Sequence, residues 1–144
     1  RKEDRMNILV IDAQGGGIGK QLVSTIKKNM PKVSVTAVGT NAAATSAMIK
    51  AGAENAATGE NAVVVNSKKA DVIVGPIGIV IADALLGEIT PLMAKAVAQS
   101  PAKRILIPIN HCDNIVVGVD DLSVGKLLQD VIKELQKVCE KIFE

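Results

Sequence analysis

Asn7-Ile8-Leu9-Val10-Ile11-Asp12 runs directly into Ala13-Gln14-Gly15-Gly16-Gly17-Ile18-Gly19-Lys20. Consecutive aliphatic residues between polar ends suit a strand covered on both faces, because a half-exposed strand would alternate apolar with polar. The glycine-rich turn opens an apolar-periodic segment, Ile18–Met30, which Pro31 closes. A buried strand, a glycine loop and a helix in that order predict the first unit of a βαβ crossover.

The same alternation recurs downstream. Strands are expected at Val33–Val38, Glu54–Ala57, Asp71–Val74 and Lys103–Ile109. Helices are expected at Ala42–Ala51, from a Thr58 cap through Lys68, from Thr90-Pro91 to Gln99, and from about Ser123 to the end. Thr40 and Asn41 suit an N-cap, Gly52 a helix stop, and Thr90 followed by Pro91 a helix start. Ile77–Leu86 is apolar on nearly every side, which predicts either a wholly buried helix or a subunit contact. The short Asn110–Asn114 link predicts that Ile115–Val119 returns as a sixth, antiparallel edge strand. Strands alternating with helices imply right-handed parallel crossovers. The expected fold class is therefore α/β: a three-layer Rossmann-like domain, mostly parallel, with strand order 3-2-1-4-5.

Composition bounds the rest. At 144 residues the chain has the length of one domain, which buries roughly 70% of its unfolded surface. We expect a single domain over residues 1–144, with Met6 as a candidate native start and residues 1–5 as a non-native or disordered extension. Hydrophobic residues at 48% and charged residues at 22% exclude disorder. Phe143 is the one aromatic residue, so the core must be aliphatic and stacking platforms for bases are missing. A net charge of +2 is too weak a field to argue for nucleic acid or a membrane surface as partner. The longest apolar stretch, Val72–Leu86, is interrupted by glycine, proline and aspartate and falls short of the roughly 20 residues of a spanning helix. Two cysteines, Cys112 and Cys139, build no disulfide framework, so a reducing cytoplasmic setting is expected. Cys139 reads as core.

In a parallel α/β sheet, ligands bind beyond the carboxyl ends of the strands. The segments there are 13–20, 39–41, 58–61, 75–78 and 110–114, each rich in Gly, Thr, Asn or Pro. The first is the most informative, since glycines let a ligand approach and helix-start amides favour an anion. It nearly fits two patterns. G-x-G-x-x-G ending at Gly19 has Gln14 in place of its first glycine. The phosphate loop G-x-x-x-x-G-K-[ST] matches Gly19-Lys20 but has Gln14 first and Gln21 in place of the magnesium-binding hydroxyl. Magnesium-dependent NTP hydrolysis of the usual kind is thereby disfavoured. Ordinary NAD binding would also require an acid about 20 residues on, where Gly39-Thr40-Asn41 stands instead.

The expected ligand set is Asp12, Gln14, Gly15, Gly16, Gly17, Gly19 and Lys20 with Thr40, Asn41, Thr58, Asn61, Gly75, Gly78 and Asn110. For the glycine loop the alternative is a tight turn required by packing; for Thr40, Asn41 and Thr58 it is helix capping. Glu60, His111 and Cys112 are candidate acid–base or nucleophilic groups. Glu60 equally suits charge complementation of a helix start. No metal site is expected, because the lone His111 has no second ligand cluster.

Taken together, Ile11–Lys20, Gly39-Thr40-Asn41-Ala42 with Ala44-Thr45, Ala57–Asn61, Gly75–Gly78, Gly87-Glu88-Ile89-Thr90-Pro91 and Ile107-Pro108 with Asn110 and Cys112 resemble a family of small bacterial proteins. That family, found mostly in anaerobic Firmicutes, is catalogued as a domain of unknown function. The resemblance spans about Met6 to the start of the last helix and implies a soluble cytoplasmic protein without implying an activity. The residues favour a small phosphorylated ligand at the glycine loop, expected to be a nucleotide or dinucleotide, in a homo-oligomer. A small oxidoreductase or transferase using Glu60, His111 or Cys112 is the first alternative. A structural or regulatory oligomer is the second. A two-lobed dinucleotide enzyme would need its second lobe from a partner subunit.

Overall fold

The computed structural model describes residues 3–109 and 113–143. After a 3-10 turn at Glu3–Arg5, five strands and five helices follow: β1 Asn7–Asp12, α1 Gly17–Asn29, β2 Ser34–Gly39, α2 Ala42–Lys50, β3 Asn55–Thr58, α3 Glu60–Ser67, β4 Val72–Pro76, α4 Pro91–Ala98, β5 Lys103–Ile107 and α5 Val124–Ile142. The strands form one sheet in the order β3-β2-β1-β4-β5, and every pairing is parallel. This is the Rossmann-like α/β arrangement that the alternation of elements predicts.

The apolar run of β1 has a direct structural cause. Ile8 and Val10 turn to one face, where Leu22 and Ile26 of α1, Met48 of α2 and Leu135 of α5 cover them. Leu9 and Ile11 turn to the other, beneath Val63 of α3 and Met93 and Val97 of α4. With both faces dry, no position of the strand interior has to be polar. The one aromatic residue packs against the edge of the first of these faces, where the Arg5 guanidinium sits 4.5 Å from the Phe143 ring centroid and joins the N-terminal turn to the end of α5. Cys139 is buried in the α1/α5 face. Among the described residues, no helix is long and apolar enough to cross a membrane.

Three helices start on side-chain caps. Asn41 Oδ1 accepts from the Ala44 amide at 2.9 Å, Thr90 Oγ1 from Met93 at 3.1 Å, and Ser123 Oγ from Lys126 at 3.2 Å. At α3 the cap position is Gly59, with φ 101°, rather than Thr58, which ends β3.

One expectation fails, and one of the two alternatives for another fails. Ile115–Val119 forms no strand, so β5 is the sheet edge and the antiparallel sixth strand is not seen. Its aliphatic residues suit a strand, but the Val119 amide bonds back to Val116 O at 3.4 Å around Gly118 at φ 84°. A turn there is incompatible with extended pairing, and Ile115 and Val117 lie exposed. Ile77–Leu86 is not a helix either. A 3-10 turn covers Ile77–Val80, and the chain then coils through Asp83, Leu85 and Leu86, all at positive φ. Ala84 and Leu85 fold back over Gly78, where a side chain would crowd them at 3.3–3.4 Å, so looping buries these two and Ile79 while Leu86 stays exposed.

Candidate functional site

The carboxyl ends of β1 and β2 stand side by side, with Asp12 in register with Gly39. Parallel pairing therefore sets the loop after β1 beside Thr40 and Asn41. Gln14 takes φ 55°, a left-handed conformation normally left to glycine. Gly19 itself is a packing glycine: a Cβ there would lie 2.7 Å from Asp12 Cβ and 2.7 Å from Met48 Sδ. Gly16 likewise abuts Ala44 of α2, with a hypothetical Cβ 2.8 Å from Ala44 Cα.

Gly15 and Gly17 are different. Neither has a positive φ, and a Cβ on either would meet nothing within 4 Å. Packing does not require glycine at these two positions. Their amides, with that of Ile18, have no acceptor among the described residues. The neighbouring amides are all used: Gly16 by Ala13 O, Gly19 by Asp12 Oδ2 at 2.7 Å and Lys20 by Gly16 O. No acid stands in the first turn of α1, so the positive end of its dipole is not neutralised from within the helix.

Opposite this loop stands Glu88, which was not among the expected ligand residues. Its Oε1 accepts from Thr40 Oγ1 at 2.7 Å, Asn41 Nδ2 at 2.7 Å and the Gln14 amide at 3.1 Å. Partial burial opposes its charge, but these three hydrogen bonds outweigh that and hold the carboxyl below the usual glutamate range. Asp12 goes the other way. Burial pushes its carboxyl up, amide bonds from Gly19 and Ala13 pull it down, and the nearby charge of Glu88 adds to the upward push. The two carboxyls lie close enough for the Glu88 charge to act on Asp12, and their surroundings shift them in opposite directions.

The remaining expected residues fall into distinct roles. Asn41 spends both amide hydrogens, on Glu88 and on Gln14 O at 2.9 Å, and its oxygen on the α2 cap, so it ties the first two loops together. Thr58 Oγ1 pairs with Thr45 Oγ1 at 2.8 Å, and Asn61 is exposed at the start of α3. Glu60 Oε2 accepts from Thr90 Oγ1 at 2.6 Å, which links the starts of α3 and α4. Gly75 and Gly78 face protein: a Cβ on Gly75 would lie 2.5 Å from Ile11 O, and Gly78 lies under the 84–85 turn. Lys20 is exposed and lines an open groove of about 790 Å³ between α1 and α2, with Lys50 on its opposite wall. Asn110, His111 and Cys112 lie outside the described residues. No group of three His, Cys, Asp or Glu able to hold a metal occurs among the described residues.

Only fold geometry brings Glu88 into this site. It lies 48 residues from Thr40 in sequence, beyond an apolar run that masks it. The one available signal was its place in Gly87-Glu88-Ile89-Thr90-Pro91, between a left-handed glycine and a helix cap.

No curated protein matches the chain. Among solved structures, a probable oxidoreductase from Mycobacterium abscessus matches with a TM-score of 0.47 and 20% sequence identity. The match covers 95% of this chain and 41% of that one, so the chain spans about two fifths of its length. A family described as a domain of unknown function, DUF3842, matches residues 7–140, and the chain belongs to that family.

Proposed function

We propose that the protein binds a small phosphorylated ligand, a nucleotide by class, with its phosphates on the loop between β1 and α1. The observation that carries this is the pair Gly15 and Gly17. Glycine costs roughly 0.5–1 kcal/mol relative to alanine where no special conformation is needed. Neither residue has a positive φ or a crowding neighbour to justify that cost. Bare backbone beside the unpartnered amides of Gly15, Gly17 and Ile18, at the start of a 13-residue helix, suits phosphate oxygens. Lys20 supplies a nearby cation. A nucleotide ligand and the buried Cys139 thiol both suit a reducing cytoplasm.

The test is a titration with inorganic pyrophosphate and with ADP, followed by amide NMR and calorimetry. Saturable binding should move the Gly15, Gly17 and Ile18 amide resonances downfield while leaving those of β5 in place. No heat, and no shift in the 13–20 loop at millimolar ligand, would refute the proposal.

A further inference from the structure

We infer that Glu88 is the sugar-binding acid of this site, and that the ligand is a ribonucleotide with a free 2′,3′-diol. The inference rests on the phosphate site proposed above and adds the group attached to the phosphates. In doubly wound sheets the ribose next to the phosphates lies over the end of the second strand, where an acid accepts its hydroxyls. Here β2 ends in Gly39-Thr40-Asn41, without an acid. The tertiary structure supplies one from elsewhere. Glu88, in the turn before α4, reaches across to the end of β2 and is bound there by Thr40 and Asn41.

The chemistry of the carboxylate sets the ligand class. Three donors converge on Oε1, while Oε2 takes no hydrogen bond among the described residues. Held ionised, the group can accept and cannot donate. Its complement is a hydroxyl donor, and two adjacent hydroxyls can share a carboxylate. A phosphate in the same position would meet like charge. The site should therefore select a free diol over a 2′-deoxy sugar, and reject a 2′-phosphate. Glu88 is also held firmly: Asp83 N donates to Ile89 O at 2.7 Å and Ile89 N to Ala84 O at 3.2 Å, closing the turn that carries it, with Leu85 and Ile89 buried beneath.

The experiment is calorimetry at neutral pH with four probes: pyrophosphate, ADP, 2′-deoxy-ADP and adenosine 2′,5′-bisphosphate. Wild-type protein should bind ADP about 10-fold or more tighter than 2′-deoxy-ADP, the size of one hydrogen bond to a charged group. It should bind the 2′-phosphorylated probe weakest of the three nucleotides. Glu88→Gln should bring ADP and 2′-deoxy-ADP to within about threefold, admit the 2′-phosphate, and leave pyrophosphate binding unchanged or tighter. Pyrophosphate binding with equal wild-type affinities for ADP and 2′-deoxy-ADP would overturn the role of Glu88 and leave the phosphate site standing. Failure of all four probes would overturn both. The wild-type comparison decides the matter even where Glu88→Gln does not fold.

Discussion

Replacing Gly17 by alanine should strengthen the fold while weakening the site. The residue opens α1, its φ is not positive, and a Cβ there would meet nothing within 4 Å. Alanine removes conformational freedom from the unfolded chain and adds no clash, so unfolding should become about 0.4–1 kcal/mol less favourable. For a domain of this size that raises Tm by about 1–4 °C. If phosphate binds as proposed, the same methyl group would crowd an oxygen approaching the Gly17 and Ile18 amides. Losing one hydrogen bond to a charged oxygen is worth about 1.5–3 kcal/mol, or roughly 10- to 150-fold in pyrophosphate affinity. Urea denaturation gives the first quantity and calorimetry the second, with Gly19→Ala as the contrast. There the Cβ would lie 2.7 Å from Asp12 Cβ and Met48 Sδ, and overpacking should lower stability by about 1–3 kcal/mol. Unchanged pyrophosphate affinity in a more stable Gly17→Ala protein would refute the phosphate cradle. Destabilisation on the scale of Gly19→Ala would refute the open space around Gly17.

Three further outcomes follow from the same geometry. Glu88→Ala should lower stability by about 0.5–1.5 kcal/mol at pH 7, because three donors lose a charged acceptor. The folded Glu88 carboxyl titrates below its unfolded value, so its stabilisation is full above the ordinary glutamate range and lost as pH falls through the depressed pKa; urea midpoints of the two proteins should converge in acid. Asp12→Asn should act in the opposite sense. Burial raises the Asp12 pKa, wild type loses stability as pH rises from its unfolded to its folded value, and the amide can still accept from Gly19; the variant should therefore gain on wild type between acid and neutral pH in the same assay. Leu86 is 95% exposed at φ 58°, so Leu86→Gly should relieve strain and raise stability by about 0.5–1 kcal/mol, measured as a higher urea midpoint at unchanged slope.

The chemistry of Glu88 and Asp12 bears on what the site can do. Burial pushes the Asp12 carboxyl up while three hydrogen bonds hold Glu88 down, so environment alone moves two carboxyls of one site in opposite directions. Gly16, Gly75 and Gly78, which look like ligand-facing glycines in sequence, abut Ala44, the Ile11 carbonyl and the 84–85 turn respectively. Close approach of backbone to backbone and close approach of backbone to ligand demand the same residue.

Sequence alone determined the layer architecture. The uninterrupted aliphatic run of β1, the helix signals at Asn41 and Thr90-Pro91, and the alternation of elements each report local periodicity or capping, which is written in neighbouring residues. It misled at Ile77–Leu86 and Ile115–Val119, where apolar content suited a helix and a strand but left-handed residues turned the chain. Only the tertiary structure decided which loop glycines are free, since that depends on what stands opposite them across β1, α2 and the 83–89 turn. It alone placed Glu88 at the end of β2, because a strand order that sets β1 between β2 and β4 makes neighbours of loops far apart in the chain. Periodicity is a property of adjacent residues; a site at the carboxyl edge of a parallel sheet is a property of strand order.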